Sequence, residues 1–98
     1  MNINFTGHHV EVTDAIREFT TDKLAQLDRH HDKITSIKVI YNIEKLMQIA
    51  EATVYIPKHE VFARAESDNL YDAIDSLVNK LIVQLEKHKN KDKQRNAH

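Results

Sequence analysis

Leu70, Ile74, Leu77, Leu81 and Leu85 recur every three or four residues through the last third of the chain. An apolar stripe of about four helical turns must be covered along its whole length. A chain of 98 residues can offer only one modest core for that purpose. The spacing predicts a helix from about Asn69 to Lys89, with Asp68 as its cap and a length of roughly 30 Å.

The rest of the sequence supplies the covering surface. Residues 2–6 alternate polar and apolar as a half-buried strand does, and Gly7 is read as its end. Thr13 is a good N-cap for a first helix that carries Ile16, Phe19, Leu24 and Leu27 and runs to about His30. Alternation returns over residues 34–43, with Ile37, Val39, Tyr41 and Ile43 on one face and Lys38, Ile40 and Asn42 on the other. Residues 48–56 place Ala50, Ala52, Val54 and Ile56 together, and Pro57-Lys58-His59 reads as a turn. Residues 60–66 turn Val61, Ala63 and Ala65 inward and Phe62 and Arg64 outward. The order β-α-β-β-β-α predicts an α+β fold: a four-stranded sheet with both helices on one face. Strands two to four form a meander, and the first helix is the crossover from strand one. Residues 1–90 make a single domain, and residues 91–98 are expected to be a flexible basic tail.

Composition narrows the function classes. One Gly and one Pro leave little room for long loops, and with no Cys neither a disulfide nor a thiolate-held zinc is available. No apolar run approaches ~18 residues, and the N-terminus lacks a signal-peptide pattern. The expected location is the cytoplasm, with no membrane partner.

Charge is distributed unevenly. Six of the 14 Lys and Arg lie after Asn79 against two acids, a net of +4, which leaves −5 for the first 79 residues. A helix that concentrates positive charge at one end of an acidic body suits phosphate, and RNA in particular. The same lysines also suit a helix C-terminus as dipole partners and as a solvated face.

Particular residues bear a family likeness. Leu70-Tyr71-Asp72-Ala73-Ile74-Asp75, then Lys80-Leu81, Gln84-Leu85 and Lys87-His88-Lys89, resemble the signature of the ribosome hibernation-promoting factors and the related ribosome-associated inhibitor A (protein Y). Asn4-Phe5-Thr6-Gly7, Val12-Thr13 and Ala15-Ile16-Arg17-Glu18 match the start of the same family. The likeness covers essentially the whole chain. It implies a fold akin to double-stranded-RNA-binding domains. It also implies binding to rRNA of the small ribosomal subunit, in the channel of messenger and transfer RNA, so that idle ribosomes cannot initiate. The chain stops soon after its last helix, which places it with the short members. Those act beside a separate ribosome modulation factor to favour paired, inactive ribosomes. Two positions depart from the pattern: Asp72 stands where Ala is usual, and Val83 where Arg is usual.

The candidate RNA contacts are Lys23 and Arg29 on the first helix, Lys38 and Arg64 on the open sheet face, and Lys80, Lys87, Lys89 and Lys91 on the last helix. Lys80 and Lys87 are two turns apart on one ridge with Gln84 between them, a spacing that can follow a phosphate backbone. Side-by-side helices would merge their cations into one patch. Tyr71 is expected to pack on the sheet. Tyr55 and Phe62 project from the opposite face, where they suit either a base or a protein partner. The adjacent pairs His8-His9 and His30-His31 are poorly spaced as metal ligands, so no metal or other cofactor is expected. There is no Cys nucleophile, no Gly-rich phosphate loop and no recognised Ser-His-acid pattern. The expectation is a translation-blocking RNA-binding protein without enzymatic activity or a small-molecule substrate. The alternative is an interaction or self-association module that uses the open sheet face.

Overall fold

Strict alternation along four segments becomes one mixed sheet, and the two amphipathic segments become its cover. The computed structural model describes the backbone of residues 2–96 and the side chains of residues 2–88. The elements are β1 (Asn2–His8), α1 (Asp14–Leu24), a 3-10 turn (Ala25–Arg29), β2 (Ser36–Glu44), β3 (Met47–Ile56), β4 (His59–Ser67) and α2 (Leu70–Asn96). Strand order is β1-β2-β3-β4, with β1 parallel to β2 and the other pairs antiparallel. This is the expected β-α-β-β-β-α fold, with α1 in the crossover.

One face of the sheet forms the core. Ile37, Val39, Tyr41, Ala50, Ala52, Val54, Ile56, Val61, Ala63 and Ala65 join Leu24, Leu27 and the full stripe Leu70, Ile74, Leu77, Leu81 and Leu85 in one buried cluster. Ala50 faces Ala65 and Ala52 faces Ala63 across β3 and β4. Four methyls at the centre of this surface leave room for the leucines of α2, which packs on those two strands. The close approach brings polar side chains of α2 to the β4 backbone.

Several boundaries differ from the sequence reading. β1 continues through Gly7 to His8, with Gly7 paired to Tyr41. The reversal comes after it, at His9, whose φ is 63°. A Cβ on Gly7 would press on the Val10 carbonyl oxygen and come within 2.9 Å of Val12 Cγ2, so the glycine makes space for the returning chain. Thr13 caps α1 as expected, accepting from the Ile16 N–H at 3.2 Å, but the α-helix stops at Leu24 and tightens into the 3-10 turn that buries Leu27. The cap of α2 is Asn69 rather than Asp68. Asn69 Oδ1 accepts from the backbone N–H of Tyr71 at 2.8 Å and of Asp72 at 3.4 Å, while Asp68 accepts from the Ser67 hydroxyl. The backbone of α2 runs to Asn96, past the Lys89 end that the apolar stripe suggested. Nothing from Lys87 to Arg95 is a helix breaker, and Lys, Gln and Arg propagate a helix without burial.

The two helices are joined by side chains. Lys23 Nζ lies 2.9 Å from Asp75 Oδ1, and His30 Nδ1 lies 2.7 Å from Glu86 Oε1. Tyr71, expected on the sheet, packs its ring against α1. It meets the Phe19 ring edge-on at 4.8 Å between centroids, because its position in the first turn of α2 faces α1.

Candidate nucleic-acid interface

Alternation on β4 sends the outward peptide groups of Phe62 and Arg64 to the free edge of the sheet, where an unpaired carbonyl needs a donor. α2 provides both donors. Lys80 Nζ donates to the Arg64 carbonyl at 2.8 Å, and Gln84 Nε2 donates to the Phe62 carbonyl at 2.5 Å. The two side chains are one turn apart, so they match alternate residues of an extended strand. Lys87, exposed and one turn further, completes the ridge expected from the sequence, and no described residue pairs with it.

An open groove of about 580 Å³ runs between β4 and α2, lined by Phe62, Ser76, Asn79, Lys80, Val83 and Gln84 among others. Its walls include no carboxylate. Phe62 and Val83 stand 49% and 54% exposed there, two large apolar side chains left open beside a cation. Of these, the sequence reading singled out Lys80, Gln84, Phe62 and Val83. It missed Ser76 and Asn79, although they sit one turn before Lys80 and Val83 and so share the ridge.

The other candidate cations are placed differently. Lys23 is spent on Asp75, with its ammonium also 5.5 Å from the Phe19 centroid, so the helix–helix joint is charge-balanced rather than a merged basic patch. Arg64 lies on the open face within 3.7, 4.0 and 3.6 Å of Glu44, Glu51 and Glu66, which offset its charge. Lys38 is exposed on the same face, in a row with Asn4, Thr53 and Phe62. Arg29 ends the 3-10 turn and is exposed. The side chains of Lys89 and Lys91 lie outside the described residues.

The histidines are dispersed. His30 holds Glu86, and His59 lies near His88 with ring centroids 5.3 Å apart. Among the described residues no group of three or more His, Cys, Asp or Glu side chains is arranged to hold a metal ion. No helix among them is long and apolar enough to cross a membrane.

The family described as sigma 54 modulation protein / S30EA ribosomal protein matches residues 3–93. The chain belongs to this family. Among the S30EA relatives, the ribosome hibernation promoting factor of Pseudomonas putida is 50% identical over 91 residues, covering 93% of this chain and 89% of its own. That of Escherichia coli is 44% identical over 94 residues, covering 96% and 99%. Solved S30EA-like structures agree. A ribosomal subunit interface protein from Coxiella burnetii superposes with a TM-score of 0.88 at 40% identity, over 92% of this chain and 99% of that one. The N-terminal domain of Thermus thermophilus Protein Y gives 0.84 at 37% identity, over 90% and 99%. The family match spans the residues of the α2 ridge.

Proposed function

We propose that this protein is a ribosome hibernation factor that binds rRNA of the small ribosomal subunit in the channel of messenger and transfer RNA. The observation that carries the reading is the Lys80-Gln84-Lys87 ridge on an otherwise acidic chain, in a protein similar end to end to ribosome hibernation promoting factors. The mechanism is occlusion in the cytoplasm, with no bond made or broken. A rigid sheet-and-helix body supplies shape, and α2 supplies charge toward phosphates without reading sequence. Acting beside a ribosome modulation factor, it would favour paired, inactive ribosomes. No cofactor or small-molecule substrate enters this mechanism.

The open sheet face supports a second use as a protein-interaction surface. Lys38 and Arg64 share it with Glu44, Glu51, Glu60 and Glu66, a balance unsuited to phosphate.

Co-sedimentation with purified small subunits across a salt series tests the primary reading. Binding is expected to weaken with salt by roughly 0.7 to 0.9 in log K per phosphate neutralised. A variant with Lys80, Lys87, Lys89 and Lys91 changed to Glu is expected to lose it. Equal binding by both proteins would move the interface off α2.

A further inference from the structure

We propose that the groove between β4 and α2 takes one unpaired nucleobase of RNA, stacked on Phe62, with the adjoining phosphate on Lys80. This rests on the RNA-binding reading above and deepens it, from a charged ridge that follows a backbone to a site that holds a base.

Three properties of the groove carry the inference. The first is its charge. In a chain with 15 acids, no carboxylate lines the groove, and Lys80 has no acidic partner among the described residues. Arg64 contributes little net charge because three glutamates surround it, so Lys80 is the effective cation. Lys87 continues that charge along the ridge, as a phosphate backbone entering the groove requires.

The second is its apolar surface. Phe62 and Val83 are large and about half exposed, although burying such groups is the usual economy of a small fold. An exposed aromatic beside a cation is what single-stranded RNA sites use, since every base has a π-face to stack. Val83 stands where the family likeness leads one to expect Arg, so this wall is apolar in this chain.

The third is how the polar groups are held. The Lys80 ammonium spends one of its three donors on the Arg64 carbonyl and keeps two for a phosphate. Gln84 spends one N–H on the Phe62 carbonyl. It keeps the other N–H and its amide oxygen, the paired donor and acceptor that a base edge complements. Both side chains are therefore ordered before the ligand arrives.

Strand addition to the β4 edge is the competing use of such a groove. It would have to displace both Lys80 and Gln84 from the carbonyls that an added strand needs. A nucleotide leaves both hydrogen bonds intact.

The test is chemical-shift mapping with hexauridylate and with a short RNA duplex, on the wild type and on Phe62→Ala, Phe62→Tyr and Lys87→Gln. Hexauridylate is expected to shift the Phe62 ring, the Val83 methyls and the Gln84 side-chain amide. The duplex is expected to leave the Phe62 ring unmoved. Phe62→Ala should weaken hexauridylate binding by roughly five- to a hundredfold, and Phe62→Tyr should retain it. Equal binding by Phe62→Ala, shifts confined to other surfaces, or no hexauridylate binding would overturn the inference. So would concentration-dependent shifts at these residues without RNA, which would make the groove a contact between copies. Small-subunit co-sedimentation separates the two levels. If wild type and Phe62→Ala bind subunits equally and salt-sensitively, the base site falls and the RNA-binding reading stands. If the wild type does not bind subunits, the wider reading falls first.

Discussion

Thr20 of α1 and Tyr41 of β2 meet hydroxyl to hydroxyl at 2.5 Å, and both residues are fully buried. Thr20 Oγ1 also donates to the Ile16 carbonyl at 2.8 Å, so its single proton is committed and Tyr41 is the donor between them. This pair ties the crossover helix to the centre of the sheet, where the Tyr41 ring also stacks over Phe5 at 6.4 Å.

The pair predicts an unequal mutant cycle. Thr20→Val strands the buried phenol and is expected to cost about 1–3 kcal/mol. Tyr41→Phe leaves Thr20 bonded to Ile16 and should cost about 0.5–1.5 kcal/mol. The double variant should lose less than the two singles together, as urea unfolding of the three proteins would show.

Alkaline pH should weaken the fold through the same phenol. Burial raises the Tyr41 pKa above its ordinary 10.0, and the nearby Arg17 charge opposes the rise without cancelling it. The unfolded chain therefore loses this proton first. The contribution to stability is complete below about pH 10 and is lost as pH rises through the folded-state value. Thermal melts from pH 8 to 11 should show a steeper alkaline decline for the wild type than for Tyr41→Phe.

Gly7→Ala should destabilise the protein by about 1–3 kcal/mol, since the new methyl meets the Val10 carbonyl and the Val12 side chain. At roughly 4–8 °C per kcal/mol for a domain of this size, the melting temperature should fall visibly.

Lys58→Gly should act in the opposite direction. Lys58 follows Pro57 in the β3–β4 turn with φ at 68°, the position of a type II turn that favours glycine. Relief of the left-handed strain outweighs the added chain entropy, for an expected gain of about 0.5–1 kcal/mol in denaturant melts.

Lys87 and Lys23 should separate in binding. Lys87→Gln is expected to lower the salt slope of small-subunit binding by about one, the loss of a single phosphate contact. Lys23 already neutralises Asp75, so Lys23→Gln should leave that slope unchanged and shift stability by no more than about 1 kcal/mol. A matching loss of slope in both would place RNA on α1 as well.

The element order and the buried stripe were legible in the sequence because both rest on local periodicity. Ile37, Val39 and Tyr41 alternate, Leu70 through Leu85 recur by the turn, and each pattern can bury only one face. The short-range exceptions were harder. Asp68 and Asn69 are both competent caps, and which one turns inward depends on how β4 delivers the chain into α2. Gly7 looked like a strand end because glycine often is one, whereas here it makes room for Val10 and Val12 on the return.

For the site, the sequence by itself determined the ridge: Lys80, Gln84 and Lys87 share a helical face whatever the helix packs against. Which charges remain available was decided by tertiary structure alone. Lys23 and Asp75 are 52 positions apart and cancel across the helix joint. Arg64 gathers glutamates from three strands, and Lys80 reaches a backbone carbonyl on the edge strand. A charge acts through everything within a few ångströms of it, and only the folded chain sets those distances.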